Sequence, residues 1–113
     1  MIADTDTRWH LLLQRLSPAP DPTITLQELL LKIGMHEAGL PPKLLRPHEV
    51  AELTELGTCA ILVPARYYEL FWVDDTGRPH YRQLQRLPAM KEEEREEFLK
   101  PHIVLYAERN GWI

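Results

Sequence analysis

Apolar side chains recur at intervals of three and four through the first half of the chain, then bunch into short runs in the second half. Trp9, Leu12, Leu13 and Leu16 share one helical face, so residues 7–16 are predicted to form a short amphipathic helix, capped by Asp6 or Thr7. Residues 1–6 are polar enough to fray. Pro18, Pro20 and Pro22 exclude helix and strand from residues 17–22 and make them a linker.

Thr25-Leu26-Gln27-Glu28 has the spacing of a capping box, in which Thr25 receives a backbone N–H and Glu28 reaches back to the cap. Ile24 and Leu29 stand where a hydrophobic staple would sit, and Leu26, Leu29, Leu30 and Ile33 continue as a core stripe. Gly39 suits the C-terminal cap and Pro41-Pro42 ends the element, whereas Gly34 has no such assignment. Pro47 opens a third helix with Val50, Leu53 and Leu56 on its apolar edge, stopped by Gly57. Glu49, Glu52 and Glu55 form a second, solvated edge.

From Cys59 the pattern changes. Residues 59–63 are a continuous apolar run, which predicts a strand buried on both faces and bounded by Pro64. A β-hairpin follows over residues 67–86. Residues 90–100 read as an acidic helix, with Glu92, Glu93, Glu94, Glu96 and Glu97, stopped by Pro101; residues 102–107 read as a last strand. The expectation is one α+β domain over residues 1–113: N-terminal helices, then a mostly antiparallel sheet of three to four strands, with one further acidic helix.

Asp74-Asp75-Thr76-Gly77 fits a type I turn whose glycine takes the left-handed position, placing Asp74 opposite Arg78. Pairing outward sets Trp72 against His80, Leu70 against Arg82 and Tyr68 against Leu84. The other face sets Val73 against Pro79, Phe71 against Tyr81 and Glu69 against Gln83. A one-residue slip would put the faces out of phase. Phe71, Val73 and Tyr81 suit a core. Tyr68, Leu70 and Trp72 with His80, Arg82 and Arg86 make a mixed aromatic and basic face. Arginine stems lying over the rings explain that face by packing alone, with the charges in water or paired to the acidic helix. It also has the composition of a docking surface, where Trp, Tyr and Arg are enriched.

Composition narrows the classes. The chain has 113 residues, 44% hydrophobic and 27% charged, which is ordinary for one globular domain. Thirteen basic against seventeen acidic residues give a net charge of -4, which disfavours bulk binding to nucleic acid. Cys59 is the only cysteine, so no internal disulfide forms, and neither a signal segment nor a membrane span is visible. A reducing, cytoplasmic setting is expected.

The sequence carries no catalytic or metal-binding signature. The fourth residue after His36 is Leu40 and after His48 is Glu52, so the HExxH zinc spacing is absent; His10, His80 and His102 are isolated in sequence. Cys59 opens an apolar run, where a free cysteine acts as a small hydrophobe. The Asp74-Asp75 pair is explained by its turn. No catalytic residue, metal site or cofactor is assigned.

His48-Glu49-Val50-Ala51-Glu52-Leu53-Thr54 followed by Arg66-Tyr67-Tyr68-Glu69 resembles the two halves of the MerR-type winged-helix signature, which would imply a DNA reader built on two helices. The gap between the halves is longer than in that family, contains a predicted strand and Pro64, and the match spans about a tenth of the chain. It is treated as coincidence.

The sequence therefore leads to a non-enzymatic interaction module, an accessory subunit, assembly factor or regulator, that docks to another protein through Tyr68, Leu70, Trp72, His80, Arg82 and Arg86. An open strand edge would also permit self-association. The alternatives are a nucleic-acid-binding regulator of winged-helix type and a small-molecule-binding or enzymatic domain with its pocket between sheet and helices.

Overall fold

The computed structural model describes residues 4–19 and 23–113. They form helices α1 (Thr5–Leu16), α2 (Leu26–Glu37) and α3 (Pro47–Ile61), strands β1 (Tyr68–Val73) and β2 (Pro79–Gln83), and helix α4 (Glu92–Arg109). The class is α+β, but the described residues hold one two-stranded antiparallel sheet rather than three to four strands. Of the missing strands, residues 102–107 are helix, and residues 59–63 are the end of a helix and the turn after it. The described residues divide into two compact units: α1 and α4 with their flanking segments, and Leu26–Pro88.

In the first unit, Asp4 rather than Asp6 or Thr7 caps α1, accepting the Thr7 backbone N–H at 2.8 Å. Thr5 and Asp6 are thus helical rather than frayed, while residues 1–3 and the linker residues 20–22 lie outside the described residues. Trp9 and Leu12 of α1 are buried, as are Leu99, Ile103, Val104, Tyr106 and Ala107 of α4, and the two helices pack together. Arg8 pairs with Glu108 at 2.6 Å. Three glutamates stand in the first turn of α4, where the helix dipole favours them, and Glu94 accepts the Lys91 backbone N–H at 3.4 Å.

Pro101 does not stop α4, and residues 102–107 are helix, not strand. Leu99, Ile103, Tyr106 and Ala107 recur at intervals of four, three and one, a helical stripe that crosses the proline. Burial on both sides of Pro101 outweighs the one hydrogen bond it removes.

In the second unit, α2 and α3 form a helical hairpin. Gly39, at φ 67°, ends α2 as expected, with the Leu40 N–H reaching back to the Met35 carbonyl at 3.0 Å. Pro47 opens α3, and Glu49 accepts the Arg46 backbone N–H at 3.1 Å. Gly57 does not end α3, which continues to Ile61, so residues 59–61 of the expected strand are helix and Leu62 and Val63 lie in the turn after it. Leu53, Gly57, Ala60 and Ile61 are all buried at helical spacing, and the apolar run begins as the last turn of this face.

Two glycines explain how closely the helices approach. A methyl group at Gly34 would fall within 3.0 Å of the Leu53 carbonyl, and one at Gly57 within 3.0 Å of the Leu30 carbonyl oxygen. Only glycine lets backbone meet backbone here. Gly34, which has no cap or turn role, and Gly57, misread as a stop, belong to one crossing.

Candidate functional site

The β-hairpin is the predicted site, and its tip forms as expected. Gly77 has φ 85°, the Asp74 N–H donates to the Arg78 carbonyl at 3.0 Å, and the Gly77 N–H donates to the Asp74 carbonyl at 2.9 Å. Asp74 Oδ1 also accepts from the Thr76 N–H at 2.9 Å, the Thr76 hydroxyl at 2.6 Å and the Arg78 N–H at 3.1 Å. Its second oxygen accepts from His80 Nε2 at 2.8 Å. The Thr76 hydroxyl and His80 hold the Asp74 carboxyl well below the usual carboxylate range.

The expected register holds for two pairs, Trp72 with His80 and Val73 with Pro79, and then breaks. An irregularity between Leu70 and Trp72 leaves Phe71 as an extra residue. Beyond it, Leu70 pairs with Tyr81, Glu69 with Arg82 and Tyr68 with Gln83, each one step from the expected partner. The bulge therefore exchanges the faces: Tyr68 and Leu70 leave the strand positions of His80 and Arg82 and join those of Tyr81 and Gln83.

The outer residues are exposed but not loose. Leu70, Phe71, Trp72 and Val73 are 53%, 61%, 51% and 53% exposed. The Trp72 and His80 rings stack at 4.6 Å with 13° between planes. Arg82 pairs with Glu69, and its guanidinium lies 5.4 Å from the centre of the Phe71 ring. The guanidinium thus lies over Phe71, rather than arginine stems over Trp72 and Tyr68, and its charge is met within the hairpin. Arg86 is exposed just beyond β2.

The inner residues meet the helices. β2 lies against α3. Tyr68 is in hydrogen-bonding contact with the Cys59 sulfur; burial, with Glu55 adding to it, pushes the Cys59 thiol up to about 11. Burial likewise raises Tyr68, and Tyr81, which bonds Glu37, is pushed up to about 12. Cys59 is therefore a protonated, buried thiol rather than a nucleophile. Arg78 pairs with Glu52 at 3.6 Å.

The three glutamates read as one solvated edge have separate roles: Glu49 caps its helix, Glu52 pairs across to the hairpin, and Glu55 faces the cleft beneath it. The sequence carries a signal for the last two, since Glu52, Glu55 and Cys59 follow one α-helical stripe once α3 is continued past Gly57.

Among the described residues, no group of three or more His, Cys, Asp or Glu side chains has the placement of a metal site. None of the described helices is long and apolar enough to cross a membrane. The two halves of the MerR-like string lie in unlike elements: residues 48–54 are in α3, whereas Arg66 and Tyr67 are in a turn and Tyr68 and Glu69 begin a strand. Comparison with family models, with curated proteins and with solved structures found no match.

Proposed function

We propose that this protein is a non-enzymatic, cytoplasmic interaction module that docks to another protein through the outer face of its β-hairpin. One observation carries the reading: Phe71 and Trp72 are more than half exposed, yet each is held by a neighbour across the hairpin. Large apolar groups left in water cost free energy unless something covers them. Rings already fixed by Arg82 and His80 lose little freedom on binding, so more of the contact energy remains as affinity. Leu70, Val73 and Leu84 of the same hairpin segment are exposed as well. Trp72 and Arg82 are the residue types in which binding energy concentrates.

The test is the Trp72→Ala/Arg82→Ala double variant. It is expected to lose a partner that the native chain captures from extract, with far-UV circular dichroism unchanged. Mass measurement names the partner, and a second copy of the chain is one possible result. Capture of the same partner by the folded double variant refutes the hairpin as the docking surface.

A further inference from the structure

Below the hairpin, where β2 lies along α3, the second unit holds an open cleft of about 340 Å³, at the small end of the range for ligand pockets. One wall is α3, with Glu52, Glu55, Leu56 and Cys59; the facing residues include Pro79 and Tyr81 of β2. The walls are largely apolar and the charges in the lining do not balance. Glu52 is paired with Arg78 at 3.6 Å, whereas Glu55 meets no basic side chain among the described residues. The remaining ionisable groups of the lining do not supply the missing charge: His80 is already held by the Asp74 carboxylate at 2.8 Å, and Cys59, Tyr68 and Tyr81 have no cationic form.

We propose that this cleft binds one positively charged group on a short apolar stem, an alkylammonium or a guanidinium, with the charge at Glu55 and the stem on Leu56, Pro79 and Tyr81. A cation relieves the unpaired carboxylate, and the stem covers apolar wall now open to water. An anion would face two carboxylates, with Arg78 already paired to Glu52 and His80 to Asp74, and a neutral ligand would gain only the burial of its stem. Free amines and the lysine or arginine side chain of a bound protein share this chemistry. The cleft shares Tyr68 and His80 with the docking residues, but the proposed contacts, Glu55, Leu56, Pro79 and Tyr81, include neither Trp72 nor Arg82, so its failure would leave the docking reading intact.

The experiment is titration of the isotope-labelled full chain by NMR with n-butylammonium, with n-butanol as its neutral counterpart. Butylammonium is expected to move amide signals of residues 52–59 and 78–81. Its affinity should fall about fivefold in Glu55→Gln, the loss of one partly exposed ion pair, and butanol should bind native protein weaker by a similar factor. Glu93→Gln, on the other unit, should bind as the native chain does. Trp72→Ala/Arg82→Ala should do the same, which separates this site from the docking face. The proposal is overturned if butanol moves the same signals with equal affinity, if folded Glu55→Gln binds unchanged, or if no signal moves across the millimolar range. A second arm uses acetyl-Gly-Lys-Gly-amide. Binding at least as tight as butylammonium assigns the site to a protein side chain, and weaker binding assigns it to a free amine.

Discussion

The Leu26–Pro88 unit contains two hairpins, one of helices and one of strands, that handle apolar surface in opposite ways. In the α2–α3 pair, Leu29, Leu30, Ile33, Leu53 and Ile61 are buried, and the closest approach is backbone to backbone at Gly34 and Gly57. In the β1–β2 pair, consecutive residues from Leu70 to Val73 are more than half exposed, and contacts run along the hairpin's own surface. The helical hairpin commits its side chains to folding and leaves no room for change. The strand hairpin contributes less to stability and leaves its largest side chains available. Sensitivity to substitution should therefore divide between them: stability in the first, binding in the second.

The largest effect is expected where the backbones touch. Gly57→Ala and Gly34→Ala each place a methyl group into a carbonyl that cannot rotate away, so the helices must separate. Overpacking of this kind costs about 3 kcal/mol or more, well beyond the roughly 1 kcal/mol that alanine returns in helix propensity. Both sites belong to one crossing, so the double variant should cost less than the two singles added together. Urea unfolding measures all three. A loss below about 0.5 kcal/mol in either single variant would remove the close crossing, and with it the contrast between the hairpins.

Cys59 lies at the seam of the two hairpins, on α3 and against Tyr68. Its folded-state value, about 11, stands above the ordinary thiol value of 9.0, so folding favours the protonated form. The sign follows directly: this contribution is complete below about pH 9 and is lost as pH rises toward 11. Two pH units would correspond to roughly 2–3 kcal/mol for a fully dry group, and solvent screening beside the exposed Glu55 brings the expected loss nearer about 1 kcal/mol. Native protein compared with Cys59→Ala between pH 8 and 11 isolates it from the tyrosines that ionise in the same region. Native protein should lose more stability over that interval, and its thiol should alkylate slowly at pH 8. Parallel stability curves would mean the thiol is not buried at the seam.

A smaller effect is expected on the outer face. Phe71→Ala and Trp72→Ala each remove a ring that is more than half exposed, together with one contact across the hairpin. The stability cost should stay below about 1 kcal/mol, because little buried area is lost and one cation–π contact contributes about that much at most at an exposed site. Thermal unfolding gives this figure. A loss comparable to that of the glycine variants would make the face structural and end the division of roles.

The start of α3 and the end of α2 were legible because caps are local, whereas the α1 cap lies at Asp4 rather than Asp6 or Thr7. Pro47 and the Gly39 end of α2 need only a few residues to be recognised, and so does the Asp74–Gly77 turn. The errors have one physical origin. Residues 59–63 and 102–107 look like strands in isolation because they are apolar and partly β-branched. They lie at the ends of helices whose stripe begins before a glycine or a proline. Gly57 and Pro101 resemble punctuation, but burial on a neighbouring helix outweighs local preference at both. The bulge at Phe71 is different. A period of two carries no signal for one added residue, so the face holding Tyr68 and Leu70 could not be assigned without the pairing itself.

The joint between the two hairpins offers the smallest and most local test. Arg66 connects α3 to β1 with φ 64°, a left-handed conformation that disfavours residues with a side chain. It is held there because its N–H donates to the Val63 carbonyl at 2.9 Å and its carbonyl accepts from Gln85 at 3.1 Å, while the next N–H, of Tyr67, returns to Leu62 at 3.2 Å. Arg66→Gly relieves the backbone by about 1 kcal/mol and raises the entropy of the unfolded chain by nearly as much, so a net gain of only a few tenths of a kcal/mol is expected. Arg66→Val, branched next to the backbone, should instead lose about 1–2 kcal/mol. The difference between the two variants in urea unfolding reads the geometry of the joint without touching either hairpin's side chains. If both match the native chain, the joint does not require the left-handed turn, and the strand hairpin is not held in register against α3 by it.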